Sequence, residues 1–316
     1  MAEPLMDGEL IGGEFKRQAS RFRDWVGQET GFAVEDGRYH LYISLACPWC
    51  HRSAILRVLA GLKEAVAVSY LAPFRDERGW AFPGGAFADG PGGEYVDHVN
   101  GWAYMSRAYA ATEPGYDGRV TVPVLWDTVS GQIVSNESHD IMRMFNSRDS
   151  LGGLAAGGPE LYPAAAREEI DAINARVYAT VNNGVYAAGF ARSQVGYERA
   201  FERLFESLDW LEELLGTRRY LTGDSVTEAD WRLFPTLVRF DEVYHLHFRC
   251  NRRRIVEYPA LWDYTRELYQ WPGIAETVAM EQIKRHYYTT HDELNPKRII
   301  PVGPGYDWQA PHARGG

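Results

Sequence analysis

Alternating apolar and polar positions in the first half of the chain predict two neighbouring strands with a helix between them. The strands are predicted at 39–45, YHLYISL, and at 65–73, AVAVSYLAP, which are rich in β-forming side chains. Between them, SAILRVLAGL shows helical spacing of apolar residues, and the glycine at Gly61 predicts the end of that helix. We therefore predict a β–turn–α–β unit.

A hairpin and one more helix follow later in this half. VTVPVLWD (120–127) and QIVS (132–135) predict two strands joined by a turn around Asp127–Gly131, and NESHDIMRMFN (136–146) predicts a helix. Pro123 lies within the first of these strands, and proline is normally excluded from strand interiors. We expect a cis peptide bond before Pro123, at the start of the strand.

Segments without periodicity set the domain boundaries. Residues 1–38 are polar and Gly-rich and predict an irregular arm. Residues 74–118 contain FPGGAFADGPGGE, and loops of this length inside a domain are usually functional or disordered. We expect a linker at 151–163 between two domains. The first is an α/β domain at 39–150 that includes 74–118 as a long insertion, and the second is at 164–316.

The second half has the apolar spacing of helices throughout. The predicted helices are EEIDAINARVYATVNNGVYAAGF, YERAFERLFESLDWLEELL, WRLFPTLVRFDEVY, YPALWDYTRELYQ and a last one around Thr277–His286. The third is expected to bend near Pro235. Thr227–Asp230 resembles a capping box, with Asp in place of the usual Glu or Gln. We predict an all-helical second domain.

Composition narrows the class of protein. Of the 316 residues, 45% are hydrophobic and 24% charged, which excludes disorder throughout. The net charge of −10 argues against nucleic-acid binding. The sequence contains no apolar run long enough to span a membrane and begins without the features of a secretory signal. We expect a soluble, cytoplasmic protein, and three cysteines are too few for a disulfide framework.

Two of those cysteines, Cys47 and Cys50, lie in CPWCH at the predicted turn from strand to helix. A thiolate at a helix N-terminus is stabilised by the helix dipole and by free backbone N–H groups. Cys47 is expected at the cap, Pro48 suits the first turn, and Cys50 would be more buried, so Cys47 is the candidate nucleophile. Haem attachment at CxxCH, a zinc site with the distant His247 and Cys250, and two merely packed thiols are the alternatives to thiol redox chemistry.

Several motifs in this order resemble the glutathione transferase superfamily, and within it the xi class, the glutathionyl-hydroquinone reductases. The resemblance runs from about Phe32 to Pro304. It is carried by CPWCHR, VTVPVLWD, SNESHDIMRMFN, VNNGVYAAGF, RYLTG with TEADWRLFPTLVRFDEVYHLHFRCN, YPALWDYTRELYQWPGI and KRHYYTTHDELNP. It implies a thioredoxin-like N-terminal domain, an all-α C-terminal domain, a homodimer, glutathione as co-substrate and no metal.

The resemblance also implies a site. Cys47 would be the catalytic residue, and Cys50 stands where such proteins commonly have Ala. The residues that would bind glutathione are Trp80, Arg119, Val122, Glu137 and Ser138. Val122 would pair its backbone with the cysteinyl part, and Glu137 with Ser138 would hold the γ-glutamyl end, although the same pair would also serve as a simple helix cap. The residues that would bind the hydroquinone are Tyr186, Tyr244 and Tyr287.

Three functions follow as hypotheses. The first is a reductase that removes glutathione from glutathionyl-hydroquinones through a mixed disulfide of glutathione with Cys47. The second is a glutaredoxin-like thiol-disulfide oxidoreductase that uses Cys47 and Cys50. The third is a non-catalytic protein that only binds glutathione, since a fold does not determine a function.

Overall fold

The computed structural model describes residues 10–11, 14–15, 18–27, 29–87, 92–155 and 157–314. These residues form two compact units. We call the first the α/β unit; it consists of the described residues of Ser20–Glu160 and Glu276–Thr290. We call the second the helical unit; it consists of the described residues of Met1–Ala19, Leu161–Ala275 and His291–Gly316.

The α/β unit is built on a four-stranded mixed sheet. Its strands are β3 (Tyr39–Ile43), β4 (Val66–Tyr70), β5 (Val124–Asp127) and β6 (Gln132–Ser135). A short antiparallel pair that precedes them in the chain, β1 (Leu10–Ile11) with β2 (Glu14–Phe15), belongs to the helical unit. Their order is β4-β3-β5-β6, with β3 parallel to β4 and β5 antiparallel to both of its neighbours. Every residue of β3 is buried, as expected for a central strand covered on both faces.

The helices of the α/β unit are α1 (Pro48–Leu59), α2 (Ser106–Thr112), α3 (Ser138–Asn146) and α10 (Met280–Thr290). Helix α1 packs beside α3. It ends as predicted, because Gly61 has a φ of 71° and its N–H donates to the Val58 carbonyl. The β-α-β unit, the hairpin and the helix after it therefore lie where the apolar pattern predicts them.

The segment 74–118 contains more structure than its sequence pattern indicates. It includes α2 and isolated bridges that pair Ala81 with Tyr104 and Ala86 with Glu94. The Asp97 carboxylate accepts the backbone N–H groups of Val99, Asn100 and Trp102 and the Tyr42 hydroxyl. These side-chain-to-backbone bonds produce no periodic pattern of apolar residues, so the sequence analysis does not detect them.

The helical unit contains α4 (Arg167–Val177), α5 (Gly184–Gly189), α6 (Gln194–Leu215), α7 (Glu228–Arg239), α8 (His245–His247) and α9 (Pro259–Tyr269). The Asp230 carboxylate accepts the Thr227 N–H at 2.7 Å, which confirms the predicted capping box at the start of α7. An α/β part and an all-helical part are both present, as predicted. No helix among the described residues combines the length and the apolar character needed to cross a membrane.

Two of the predicted helices contain a π-helical turn. One turn, Tyr178–Asn182, separates α4 from α5, and the other, Phe240–Tyr244, continues α7 into α8. The Asn182 side chain donates to the Thr236 hydroxyl at 2.8 Å, which ties the first turn to α7. A π-helical turn inserts extra backbone at one point of a helix, and the apolar residues on either side keep helical spacing. The periodicity of the sequence therefore does not reveal it.

Candidate active site

Cys47 is the N-cap residue of α1, where its backbone is extended, and its side chain is 7% exposed. Pro48 occupies the first helical turn, as predicted, since a proline there removes an N–H that would have no intrahelical partner. The Cys47 Sγ lies 3.8 Å from the Val122 carbonyl oxygen. A negative charge on this sulfur would be stabilised by the N-terminal end of α1.

The Val122–Pro123 peptide bond is cis, as predicted, and it lies immediately before β5. The residue before it, Thr121, is fixed by the buried Tyr109 hydroxyl, which donates to the Thr121 carbonyl at 2.8 Å. The same hydroxyl accepts the Asn136 side-chain N–H at 3.0 Å. Burial raises the pKa of Tyr109 to about 12, so its hydroxyl remains a neutral donor. One network thus holds the backbone beside Cys47 and the backbone that leads into α3.

Helix α3 begins with Glu137 and Ser138. Glu137 is the half-buried N-cap; its Oε1 accepts the His139 N–H at 3.1 Å and its Oε2 accepts the Ser20 hydroxyl at 2.9 Å. Ser138 is buried in the first turn. A helix N-terminus beside a carboxylate suits a molecule with both a carboxylate and an ammonium group, such as the end of a γ-glutamyl peptide. The capping role expected as an alternative is also present, because the Glu137 carboxylate does cap the helix.

Trp80 and Arg119 belong to the same unit. Trp80 is buried and stacks on His286 of α10, with ring centroids 5.2 Å apart and planes 17° apart. The Arg75 guanidinium lies 5.5 Å from the centre of the Trp80 ring. The Arg119 carbonyl accepts the Tyr116 hydroxyl at 2.9 Å. Trp80 is therefore held between an arginine of its own segment and a histidine far along the chain.

The three predicted hydroquinone residues fall in different units. Tyr186 and Tyr244 lie in the helical unit with ring centroids 6.1 Å apart, and Phe248 contacts both rings. Tyr186 follows one π-helical turn and Tyr244 ends the other, and such turns are frequent at functional sites. Tyr287 lies in the α/β unit, on α10, edge-on to His286 at 5.2 Å. The structure thus brings Tyr186 and Tyr244 together.

The other two cysteines differ from Cys47. Cys50 is fully buried, and its Sγ accepts the Ser44 N–H at 3.5 Å. Cys250 is also fully buried, and that burial raises the pKa of its thiol above the usual value. None of the three cysteines, all of which lie in described ranges, is in a disulfide. Cys250 is therefore poorly suited to act as a nucleophile.

The surroundings of His247 bear on the alternative of a zinc site that would include this residue. Its Nε2 lies 3.1 Å from the Nδ1 of His291, so the two rings form a hydrogen-bonded pair. Burial lowers the pKa of His247 to about 4. In the part of the chain that the structure describes, no group of three or more His, Cys, Asp or Glu residues is placed to hold a metal ion.

Sequence reasoning missed the residues that support this site. It did not single out Ser20, which donates to Glu137, or the hydrogen-bonded pair of Asn136 and Tyr109. It also did not single out His286, which stacks on Trp80. Asn136 had a usable signal, because it stands directly before the Glu-Ser pair in SNES. Ser20 and His286 act on partners far away in the sequence, so no local pattern marks them.

Family models match both halves of the chain. The model described as the glutathione S-transferase N-terminal domain matches residues 46–148, and the one described as the C-terminal domain matches residues 194–267. The glutathionyl-hydroquinone reductase PcpF of Sphingobium chlorophenolicum is 49% identical over 300 residues, with 94% of this chain and 92% of PcpF covered. The glutathionyl-hydroquinone reductase YqjG of Escherichia coli K12 is 47% identical over 316 residues, with 98% and 94% covered.

Solved structures resemble the chain over the same extent. The glutathione-bound structure of YqjG from Escherichia coli K-12 has a TM-score of 0.88 at 47% identity, covering 93% of this chain and 96% of that one. The xi class glutathione transferase from Natrialba magadii has a TM-score of 0.90 at 47% identity, covering 97% and 93%. The similarity thus includes the α/β unit and the helical unit alike.

Proposed function

Because the chain belongs to the glutathione S-transferase family, and within it to the xi class, we propose that it is a glutathionyl-hydroquinone reductase. The observation that carries the proposal is the position of Cys47, a thiol at the N-cap of α1 and 3.8 Å from the carbonyl oxygen of Val122. A cysteine there forms a disulfide with glutathione instead of only orienting it, and disulfide formation is what a reductase of this kind requires.

We propose that the glutathionyl part of the substrate binds along the α/β unit. Its γ-glutamyl end is held by Glu137, which accepts from the ammonium group, and by Ser138 at the N-terminus of α3, which receives the carboxylate. The Val122 backbone pairs with the cysteinyl residue, which directs the glutathione sulfur toward Cys47. Trp80 and Arg119 supply the remaining contacts. These local donors bind an anionic tripeptide despite the overall charge of −10.

The reaction has two steps. In the first, the Cys47 thiolate attacks the glutathione sulfur of the thioether, a sulfur–sulfur bond forms, and the carbon–sulfur bond breaks. The electron pair of the broken bond stays with the ring carbon, which takes up a proton, and the hydroquinone leaves. In the second, a glutathione thiolate attacks the mixed disulfide on its glutathione sulfur, and oxidised glutathione leaves with the Cys47 thiolate regenerated.

We propose that Tyr186, Tyr244 and Tyr287 contact the hydroquinone, because a phenol hydroxyl can accept and donate hydrogen bonds as the ring changes tautomer. The support within the helical unit is that Tyr186 and Tyr244 share one aromatic cluster. Three Tyr→Phe variants, assayed with one glutathionyl-hydroquinone, identify which hydroxyl assists. The proposal for a given tyrosine fails if its Phe variant keeps both kcat and KM.

The decisive experiment replaces Cys47 with serine. Cys47→Ser is expected to lower hydroquinone release from a glutathionyl-hydroquinone by about a thousandfold or more, since the nucleophile is lost. Cys250→Ala is the matched control and should retain activity, because Cys250 lies buried in the helical unit. Turnover by Cys47→Ser at a rate near that of the native protein would contradict the assignment.

We also infer a homodimer in the cytoplasm. The dimer rests on the family resemblance, and the compartment rests on the chemistry: the reaction consumes reduced glutathione, and the chain keeps three cysteines without a disulfide. Sedimentation velocity of the purified protein tests the dimer, with a monomer at micromolar concentration as the contrary result. Fractionation of the native cells tests the compartment.

A further inference from the structure

Cys50 is the one thiol in the neighbourhood of Cys47 that the proposed reaction does not use. Cys47 is the N-cap of α1 and Cys50 is three residues later, in the first turn of the same helix. The side chain of Cys50 is 0% exposed, compared with 7% for Cys47. Cys47 is therefore the more accessible of the two cysteines, and Cys50 is shielded from solvent.

The backbone of Ser44 holds both cysteines. Its carbonyl accepts the Cys47 N–H at 3.0 Å, and its N–H donates to the Cys50 Sγ at 3.5 Å. Cα atoms three residues apart on a helix are about 5 Å apart, and disulfides join residues whose Cα atoms are about 4.4–6.8 Å apart. A disulfide within this turn therefore needs only a small movement of the side chains. The Ser44 N–H would also stabilise negative charge that develops on the Cys50 sulfur.

We propose that Cys50 is a resolving thiol, which displaces glutathione from Cys47 after hydroquinone has left; this inference rests on the proposed function. The Cys50 sulfur attacks the Cys47 sulfur of the mixed disulfide and gives up its proton. The Cys47–Cys50 bond forms, the bond from Cys47 to glutathione breaks, and glutathione leaves as a thiolate that takes up one proton. No outside oxidant is needed, because the mixed disulfide already carries the oxidising equivalent.

The placement of the two sulfurs favours this exchange. Cys50 lies one helical turn after Cys47, so its sulfur stays near the mixed disulfide throughout the exchange. A thiol held within one helical turn also has an effective concentration of at least the millimolar order, comparable with or above that of free glutathione. The internal disulfide then returns to two thiols in two exchanges with glutathione, and the second exchange releases oxidised glutathione.

This step gives the site a second resting state. When glutathione is scarce, the enzyme finishes one turnover and stops as the Cys47–Cys50 disulfide, in which Cys47 cannot attack another thioether. The mixed disulfide alone would leave a bound glutathione in the site instead. The extra cysteine thus makes the return to activity depend on two glutathione molecules that attack in succession.

The test follows the adduct directly. The full-length protein is mixed with oxidised glutathione, separated from the excess, quenched with a maleimide at increasing times, and weighed intact by mass spectrometry. For the native chain we expect the protein–glutathione adduct to convert into a species lighter than the reduced protein by two hydrogens, with release of one glutathione per chain. In Cys50→Ala the adduct should persist at least about ten times longer. Cys250→Ala is the control and should behave like the native chain.

A native adduct that persists without forming the internal disulfide would overturn the proposal, and this result needs no variant to fold. An adduct with equal lifetimes in the native chain and in Cys50→Ala would overturn it as well. Failure of the proposed function looks different, because the native chain would then release no hydroquinone from a glutathionyl-hydroquinone, whether or not the internal disulfide forms. Hydroquinone release together with a persistent adduct would overturn the role of Cys50 alone.

Discussion

His286 is expected to set the affinity for glutathione without touching it. Its ring stacks on Trp80, and its Nδ1 lies 2.6 Å from the Pro73 carbonyl oxygen. A carbonyl oxygen can only accept a hydrogen bond, so the Nδ1 of His286 carries the proton. This bond to Pro73 fixes the orientation of the imidazole ring, and the face of the ring stacks on the indole of Trp80. If Trp80 contacts the glutathionyl group as proposed, then loosening this stack lowers the fraction of molecules in which the indole is ready to bind.

The size of the effect follows from the stack. Aromatic pairs contribute about 0.5–1.5 kcal/mol beyond the area they bury. If all of that free energy goes into holding Trp80, its loss lowers the ratio of binding-competent to other positions of the indole about 2- to 12-fold, and the apparent Kd rises by up to the same factor. Since Trp80 is proposed to contact the glutathionyl part of the thioether substrate, the KM for glutathionyl-hydroquinone should rise while kcat changes little.

Two variants separate the stack from the hydrogen bond. His286→Asn places an amide N–H near the position of Nδ1 and keeps the bond to Pro73 but loses the stacked ring, so the KM for glutathionyl-hydroquinone should rise by up to about 2- to 12-fold. His286→Phe keeps the ring and loses the bond, so it should lower stability more than it changes KM. The measurement is steady-state kinetics with each substrate varied in turn. An unchanged KM for glutathionyl-hydroquinone in His286→Asn, or a fall in kcat alone, would refute the reasoning.

Two further predictions concern stability. Burial lowers the pKa of His40 to about 4, so between pH 6.5 and 4 the unfolded chain binds a proton that the folded chain does not. His40 should therefore account for a difference of about 2 kcal/mol in the free energy of unfolding, which is lower at pH 5 than at pH 7, and the buried His247 adds its own contribution. In urea titrations at the two pH values, His40→Gln should lose this difference. Ser69→Ala removes the 2.8 Å partner of His40 and the acceptor of the His98 N–H but leaves the imidazole in place, so it should keep the difference; an equal difference in His40→Gln would contradict the assignment. Asn136→Ala should lower the free energy of unfolding by about 2–4 kcal/mol in the same assay, because it leaves the Phe22 N–H without its side-chain acceptor and removes one of the two N–H donors to the Tyr109 hydroxyl, the other being that of Thr121. A loss below about 1 kcal/mol would speak against the network.

The parts of the site that sequence analysis predicted are those that single residues specify. Pro48 fits the first turn of a helix better than its interior, which favours Cys47 as the cap. Pro123 inside an apparent strand requires an exception to ordinary strand pairing, and the structure has a cis bond there. Gly61 adopts a positive φ that ends α1. Each of these constraints acts within a few residues, so a local pattern is enough to predict it.

The parts that were missed depend on partners far apart in the chain. The Ser20 hydroxyl on Glu137 spans 117 positions, and nothing near Ser20 indicates a partner in α3. The segment 74–118 is organised by carboxylate-to-backbone bonds at Asp97, which have no period. The π-helical turns before Tyr186 and at Tyr244 were predicted as plain helix, because their side chains keep helical spacing on either side. The contacts of the site residues with glutathione and hydroquinone stay predictions until the variants above are assayed.

The return of α10 to the α/β unit has a consequence for how the protein is made. Leu161–Ala275, all of which belong to the helical unit, are translated between Glu160 and the segment that completes the α/β unit. At about 5–20 residues per second, a ribosome needs on the order of ten seconds for that stretch. Throughout it the nascent α/β unit lacks His286, so Trp80 has no ring to stack on although Cys47 has already emerged. A message cut short before α10 is therefore expected to yield a polypeptide that carries Cys47 without the complete unit around it.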